Sequence, residues 1–440
     1  MIFQNPELQR YLWLNFSPFR LWMPPIMVAL LMVLSERLPF SGSGMPDLFI
    51  TIFVLVVFFK GSSESGNAFK KEIENKTWDF QRTSPIPPLQ LVIGKAFGAT
   101  SYSWYIGFCC LLGAYISHIA FEASGTIVLK LLTLVAAGVL GHMAAFLSGI
   151  LSQRSGLVWG IIVSLVSWQM AQDRPFTDNV FWFSTKIDWD IFFCASLLFW
   201  GFWLFRSSVG MMRERMQYTN IPLDWLLFLL TTGAYFAGLG AENRAAWSYS
   251  LIFGLSMLGY TYFAFLFEAR NLTRYKRFFR GYKQSNNQVM LENMPRWAVS
   301  LALAVTALIV FQFVLPEKAV DKALPHIFPF FLTFVLFVCR DGLVFHIILI
   351  GRSAKHSGFA LVVFYLLAYV MLPALVGVEW IPDIENIFRK GGADNFSLAL
   401  GFFYPSPHKN LVIAVLPVLF ECAVCLYVLK SRLQKMSSGG

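Results

Sequence analysis

Long apolar blocks alternate with short polar segments along the whole chain. The blocks at 131–151 and 411–429 each approach the roughly 20 residues that an α-helix needs to cross a bilayer. Twelve blocks of this kind predict an all-α, polytopic membrane protein with about 12 transmembrane helices. The predicted spans are 21–35, 46–60, 97–118, 126–151, 156–172, 188–205, 222–241, 246–267, 297–315, 327–351, 358–378 and 411–429.

The composition fits a protein that has a bilayer as its solvent. Of the 440 residues, 57% are hydrophobic and 14% are charged, whereas soluble domains carry roughly 25% charged residues. A water-soluble fold of this composition would expose large apolar patches and aggregate. The cysteines lie within or beside apolar blocks and the histidines lack ligand spacing, so no metal site is predicted.

The basic residues concentrate in every second polar segment and give a net charge of +10. This alternation is typical of cytoplasmic loops under the positive-inside rule. It predicts that both termini are cytoplasmic. The expected location is a bacterial inner (plasma) membrane. The same pattern explains the positive charge better than a nucleic-acid-binding patch does.

The blocks group into two halves. An amphipathic segment at 1–20 is predicted to lie along the membrane interface, although it also fits an ordinary positive flank of the first span. The first six-span half covers 21–205 with a cytoplasmic loop at 61–92, and the second covers 206–440 with a loop at 268–296. The fourth spans of the two halves can be aligned, which favours two six-helix pseudo-repeats.

The first of these loops carries both charge signs on a stretch long enough for one or two helical turns. Pro85, Pro87 and Pro88 end that stretch, since proline cannot continue a helix. A short charged helix that projects from a membrane suits docking to a soluble partner, and a solvated loop is the alternative. The candidate docking residues are Glu72, Glu74, Lys76, Thr77, Asp79 and Arg82.

Several short motifs resemble those of type-2 ABC exporter permeases. The loop resembles theirs in its acidic residues, Thr77, Ser84-Pro85 and Gly94-Lys95, although Lys76 stands where the family usually has glycine. The N-terminal segment resembles the interfacial entry helix of the family, and the chain before the last span resembles its outer-side ending. The residues in question are Asn5-Pro6-Glu7-Leu8, Arg10, Phe19-Arg20 and Tyr404-Pro405-Ser406-Pro407.

The resemblance implies a permease subunit in which each loop after the second span of a half contacts a nucleotide-binding ATPase subunit. The chain has no Walker sequence, so ATP and Mg would belong to that partner, and no cofactor or catalysis is expected in this chain. In the second half the contact is expected from Arg270, Arg274, Arg277 and Arg280.

Polar residues inside predicted spans are expensive to bury and therefore suggest function. His142, Arg340, Asp341 and His346 are such residues; helix-to-helix contacts are favoured over a lining of the transport path, since adjacent helical residues do not face each other. The aromatic content suits an amphipathic or lipid-like cargo, but aromatic belts explain it as well. The sequence does not identify the substrate.

Two other classes of protein fit part of the pattern. A secondary active transporter also has two six-span halves, but its long cytoplasmic connection usually lies between spans six and seven. A membrane-embedded lipid-modifying enzyme would need convergent acid, base or metal-binding groups. Both remain alternatives to the exporter permease.

Overall fold

The computed structural model is mostly helical and divides into two compact units. Unit 1 comprises 1–180 and 186–220, and unit 2 comprises 181–185 and 221–440. The structure describes residues 5–34, 44–120, 127–152, 155–173, 179–218, 223–240, 245–268, 272–314, 324–349, 363–371 and 400–438.

Unit 1 begins with two helices that meet at an angle of 66°. Asn5 and Ser17 cap these two helices, each directly before a proline that suits the first helical turn. The helices are α1 (Pro6–Asn15), α2 (Pro18–Val33), α3 (Met45–Phe53), π1 (Val54–Gly61), α4 (Ser62–Glu74), α5 (Trp78–Thr83), α6 (Pro88–Ile93), π2 (Gly94–Gly98), α7 (Ser101–Ala120), α8 (Ile127–Ser152), α9 (Leu157–Asp173) and α10 (Trp189–Arg215).

Unit 2 repeats the alternation of long apolar helices and short polar ones. Short strands β1 (Asn179–Trp182), β2 (Thr185–Asp188) and β3 (Leu239–Gly240) were not expected in an all-α chain; Phe181 of β1 pairs with Gly240 of β3 within unit 2. The helices are α11 (Leu223–Gly238), α12 (Ala246–Glu268), α13 (Leu272–Lys283), α14 (Asn287–Glu292), α15 (Arg296–Val314), α16 (Leu324–Leu349), π3 (Leu367–Met371), a 3₁₀ turn (Leu400–Phe402) and α17 (Leu411–Ser438).

The polytopic helical prediction is confirmed, whereas the count of twelve spans stays a prediction. Seven helices among the described residues are long and apolar enough to cross a bilayer, or eight if the bent pair α1–α2 is one span. Helices at Leu157–Gln172 and Leu223–Gly238 are shorter, and most of the predicted span 358–378 lies outside the described residues. The seven are Met45–Glu74, Ser101–Ala120, Ile127–Ser152, Trp189–Arg215, Arg296–Val314, His326–Ile348 and Leu411–Arg432.

Each unit packs around its own long helices. In unit 1, α8 contacts α4, α9 and α10, while α7 contacts α2 and α3. In unit 2, α15 contacts α11 and α12, and α16 contacts α17 and α12. Small residues allow close approach where α4, α8 and α9 meet: a methyl group on Gly156 would lie 1.9 Å from the backbone oxygen of Ala145, as is common between helices in membranes.

Candidate functional sites

The N-terminal helix α1 is hydrogen-bonded to the end of the first loop. The Asn5 side-chain oxygen accepts hydrogen bonds from the backbone N–H of Glu7 at 3.0 Å and of Leu8 at 3.3 Å. Its amide donates to the carbonyl of Gln90 at 2.7 Å. One buried asparagine therefore both caps α1 and pins it to α6.

A group of ions, of which only Arg10 is exposed, lies beside this contact. Lys95 is 0% exposed, and its Nζ lies 2.9 Å from Glu7 Oε1 and 2.8 Å from Glu72 Oε1. Arg10 Nη2 reaches the same two oxygens at 2.9 and 2.7 Å. Two cations thus balance two carboxylates, which a buried ionic group needs if it is to be stable. We call Glu7, Arg10, Glu72, Thr77 and Lys95 the elbow cluster.

Thr77 joins the elbow cluster through the turn that ends α4. Its hydroxyl donates to the Glu72 carboxylate and, at 3.2 Å, to the Glu72 carbonyl. Its backbone N–H donates to the same carbonyl at 3.0 Å, and the N–H of Lys76 donates to the Ile73 carbonyl at 3.1 Å. This is a Schellman motif, and Lys76 has the left-handed φ of 58° that it requires. Lys76 therefore takes up the backbone conformation that glycine favours.

The first loop contains a short helix, α5, but it covers only the second part of the predicted stretch, since Glu72 and Glu74 end α4 and a turn separates the two helices. Trp78 packs edge-on against Phe69, with 4.8 Å between ring centroids, and so fixes the base of α5. Phe80 is 80% exposed, and the exposed carboxylate of Asp79 lies 4.0 Å from the guanidinium of Arg82. Helix α5 therefore presents an aromatic ring flanked by opposite charges to its surroundings.

The six docking candidates of the first loop divide into two groups. Glu72 is buried and binds Lys95, so it does not present its carboxylate to a partner. The other five are exposed: Glu74 ends α4, Lys76 and Thr77 lie in the turn that follows, and Asp79 and Arg82 lie on α5. Only these five are placed to touch a protein from outside.

The second loop contains α13 and α14, and Arg270 lies outside the described residues. Arg274 donates to the carbonyl of Met294 at 3.2 Å, while Arg277 and Arg280 are exposed. Ser285 ends α13 with a φ of 52°, in the same turn that Lys76 makes after α4. A six-residue helix follows the turn in both loops.

His142 lies inside α8 and joins three helices. Its Nε2 lies 2.8 Å from the Val57 carbonyl in π1, and its Nδ1 accepts from the Trp104 indole N–H at 3.1 Å. An indole nitrogen only donates and a carbonyl only accepts, so the ring is neutral with its proton on Nε2. Gly61 makes room for it, because a methyl group there would lie 2.4 Å from Nε2.

Arg340 and Asp341 lie inside α16 and form a second buried ionic group. Arg340 Nε and Nη2 donate to Asp341 Oδ1 at 2.9 and 2.8 Å, and Arg340 Nη1 donates to Glu421 Oε2 of α17 at 2.7 Å. Tyr262 and Tyr369 each donate to Asp341 Oδ2 at 2.7 Å. These five residues are the intramembrane cluster. The expectation that Arg340 and Asp341 do not face each other is wrong, because the long arginine side chain folds back onto its neighbour.

His346 contacts three aromatic rings at the end of α16, those of Phe265, Tyr275 and Trp297. Its Nε2 lies 2.9 Å from the Tyr275 hydroxyl of α13, and that hydroxyl accepts from the Trp297 indole N–H at 2.8 Å. His346 Nδ1 lies 2.6 Å from the carbonyl of Gly342 in its own helix. His346 therefore ties α13 to the ends of α15 and α16, as a helix-to-helix contact.

The sequence analysis did not identify the residues that bind Arg340 and Asp341, because these come from distant segments of the chain. Tyr262 and Tyr369 belong to aromatic-rich blocks that give no polar signal, and Glu421 is an acidic residue within a predicted span, which is such a signal. Comparisons with family models, with curated proteins and with solved structures found no match to this chain.

Proposed function

We propose that this chain is the transmembrane permease subunit of an ATP-driven ABC exporter, with ATP and Mg bound by separate nucleotide-binding ATPase subunits. One observation carries the proposal. Five residues that carry the resemblance to this family come from three distant segments: Glu7, Arg10, Thr77 and Lys95 converge through Glu72, and Asn5 caps the helix that carries Glu7 and Arg10. Helix α5 begins directly after Thr77. Residues that merely resembled a motif by chance would not be expected to converge.

The elbow cluster suggests how α5 would transmit force. Glu7 lies on α1 ahead of the first span, Glu72 on the extension of the second, and Lys95 on π2 ahead of the third. A displacement of α5 by the ATPase would therefore move three spans together. Such a motion of one helical bundle against another is the basis of alternating access.

The packing of the two units supports two six-helix pseudo-repeats with twelve spans. The second and third predicted spans pack together in both units, as α3 with α7 and as α12 with α15. The fourth and sixth also pack together, as α8 with α10 and as α16 with α17. In this arrangement both loops are cytoplasmic, as are both termini, in an inner membrane.

Photo-crosslinking from α5 tests the docking role. A benzophenone amino acid at Phe80 is expected to form an adduct in cells with a polypeptide that carries a Walker sequence. The same probe at Phe313, which is 84% exposed near the end of α15, is the matched control and should form none. Adducts at Phe80 with lipid alone, or with no ATPase, would contradict the proposal.

The intramembrane cluster favours a secondary active transporter as the second candidate. Carboxylates within spans are typical of proton-coupled transporters, and Asp341 and Glu421 both contact Arg340. Transport in reconstituted vesicles separates the two functions once a cargo is known. Dependence on the ATPase and ATP supports the exporter, whereas loss of transport on collapse of the proton gradient, with no ATP present, supports the second candidate.

A further inference from the structure

Helix α13 has a basic side and an aromatic side. Tyr275, Phe278, Phe279 and Tyr282 follow the three- and four-residue spacing that places side chains on one face of a helix. The other side carries basic residues, and α13 contains no acidic residue. These basic residues are Arg274, Lys276, Arg277, Arg280 and Lys283.

Contacts in unit 2 hold α13 at the polar end of its spans. The Tyr275 hydroxyl accepts from the indole of Trp297 at 2.8 Å and lies 2.9 Å from His346. Trp297 is the second residue of α15, and His346 lies in the last turn of α16. The ends of spans lie at the level of the lipid headgroups, so α13 is fixed near that level.

The aromatic side of α13 is only partly covered by the protein. Tyr275 is half-buried, but Phe279 is 59% exposed and Tyr282 is 70% exposed. Aromatic rings on a basic amphipathic helix are typical of segments that lie in the membrane interface. Lys276, Arg277 and their basic neighbours are exposed on the opposite side.

We propose that α13 lies in the headgroup layer and binds anionic phospholipids, with Phe279 and Tyr282 entering the acyl boundary and the exposed basic residues contacting phosphates. Charge complementarity identifies the occupant, because a basic cluster beside a span attracts anionic lipid. Helix α5, by comparison, carries one acidic and one basic residue. This inference needs only that the chain is embedded in a membrane, and it holds whatever the chain transports.

Arg277 and Arg280 then contact anionic phospholipid, and not the ATPase that the sequence analysis expected them to contact. Arg274 is directed inward to the carbonyl of Met294, so the lipid-facing set is Lys276, Arg277, Arg280 and Lys283. The following helix, α14, stands in the position that α5 has in the first loop and is left as the docking element of unit 2.

Lipid photo-crosslinking of the full-length chain in nanodiscs tests the inference. The discs contain phosphatidylcholine and phosphatidylglycerol, and a benzophenone amino acid replaces Tyr282. We expect phospholipid adducts in which phosphatidylglycerol exceeds its bulk share. One basic residue near an anionic surface contributes about a fivefold effect. The quadruple variant K276Q/R277Q/R280Q/K283Q should therefore lower that preference by at least about fivefold.

The matched control is the same probe at Phe80, an exposed aromatic residue on α5 that should give no enriched phosphatidylglycerol adduct. Phosphatidylcholine adducts should persist in the quadruple variant, which shows that α13 is still folded against the membrane. Three results would overturn the inference: no lipid adduct at Tyr282, adducts in the bulk lipid ratio, or a preference that survives the quadruple substitution. A protein adduct at Tyr282 in cells, in place of lipid, would also overturn it.

Discussion

Both units bury a cation against two carboxylates, but the two clusters lie at different positions along the helices of their own unit. In unit 1, Lys95 contacts Glu7 and Glu72 where α1, α4 and π2 meet, and Arg10 completes a balanced set. In unit 2, Arg340 contacts carboxylates of α16 and α17 inside the spans, and no second cation joins it among the described residues. The first cluster joins the ends of helices. The second joins helix interiors, where tyrosine hydroxyls supply the remaining hydrogen bonds.

The largest expected effect is the loss of the cation in unit 1. Lys95→Met should lower the free energy of unfolding by about 3–5 kcal/mol, because it leaves two buried carboxylates with only Arg10 between them. Titration of the purified protein with SDS measures the change. Lys70→Met is the matched control, since Lys70 forms an exposed pair with Glu74 and should cost less than about 1 kcal/mol. Equal losses in the two variants would show that the elbow cluster does not stabilise unit 1.

A second pair of variants compares one carboxylate from each cluster. Glu72→Gln should cost about 2–3 kcal/mol, because Lys95, Arg10 and Thr77 all bind the Glu72 carboxylate. Glu421→Gln should cost about 1 kcal/mol or less, because the glutamine amide oxygen can still accept from Arg340 and Arg340 keeps its bonds to Asp341. SDS unfolding of both variants checks the difference. The reverse order would mean that Glu421 stabilises unit 2 more than Glu72 stabilises unit 1.

The sequence predicted the positions of the helices better than the contacts between residues of different helices. Apolar blocks mark long helices because hydrocarbon requires about 20 apolar residues, and α8, α10 and α16 lie where the pattern placed them. The elbow cluster joins residues 7, 72 and 95, whose sequence separation carries no periodic signal. The resemblance to a family named some of these residues, but their contacts with one another come only from the folded chain.

The expectation for Arg340 and Asp341 failed for a physical reason. Helical spacing describes the directions of Cα–Cβ bonds, and neighbouring residues do point apart at that level. An arginine side chain is long enough to curve back to the next residue while Nη1 reaches Glu421, and an unpaired charge inside a membrane is costly. Spacing rules therefore apply less well to long charged side chains inside a membrane.

A third prediction concerns His142, the neutral polar residue inside α8 of unit 1, whereas α16 of unit 2 carries the ions Arg340 and Asp341. Gly61→Ala should cost about 1–3 kcal/mol, because the added methyl group meets the His142 ring at 2.4 Å and would force it from the Val57 carbonyl. Gly259→Ala is the matched control in α12: nothing lies within 4 Å of its added methyl group, and it should stabilise by about 0.5–1 kcal/mol. Stabilisation by both changes would mean that His142 is free to move.

The smallest effect tests whether the turns that end α4 and α13 are equivalent. Lys76 and Ser285 both have left-handed φ values, 58° and 52°, which cost a residue with a side chain about 1–2 kcal/mol relative to glycine. Part of this gain is offset by the greater freedom of glycine in the unfolded chain, so each change to glycine should stabilise by about 0.5–1 kcal/mol. Lys70→Gly, inside α4, should instead destabilise by about 1 kcal/mol. If Lys76→Gly stabilises and Ser285→Gly does not, the two turns are not equivalent. They already differ in one contact: only the first turn is also held by a threonine side chain, Thr77, which binds Glu72 of the elbow cluster.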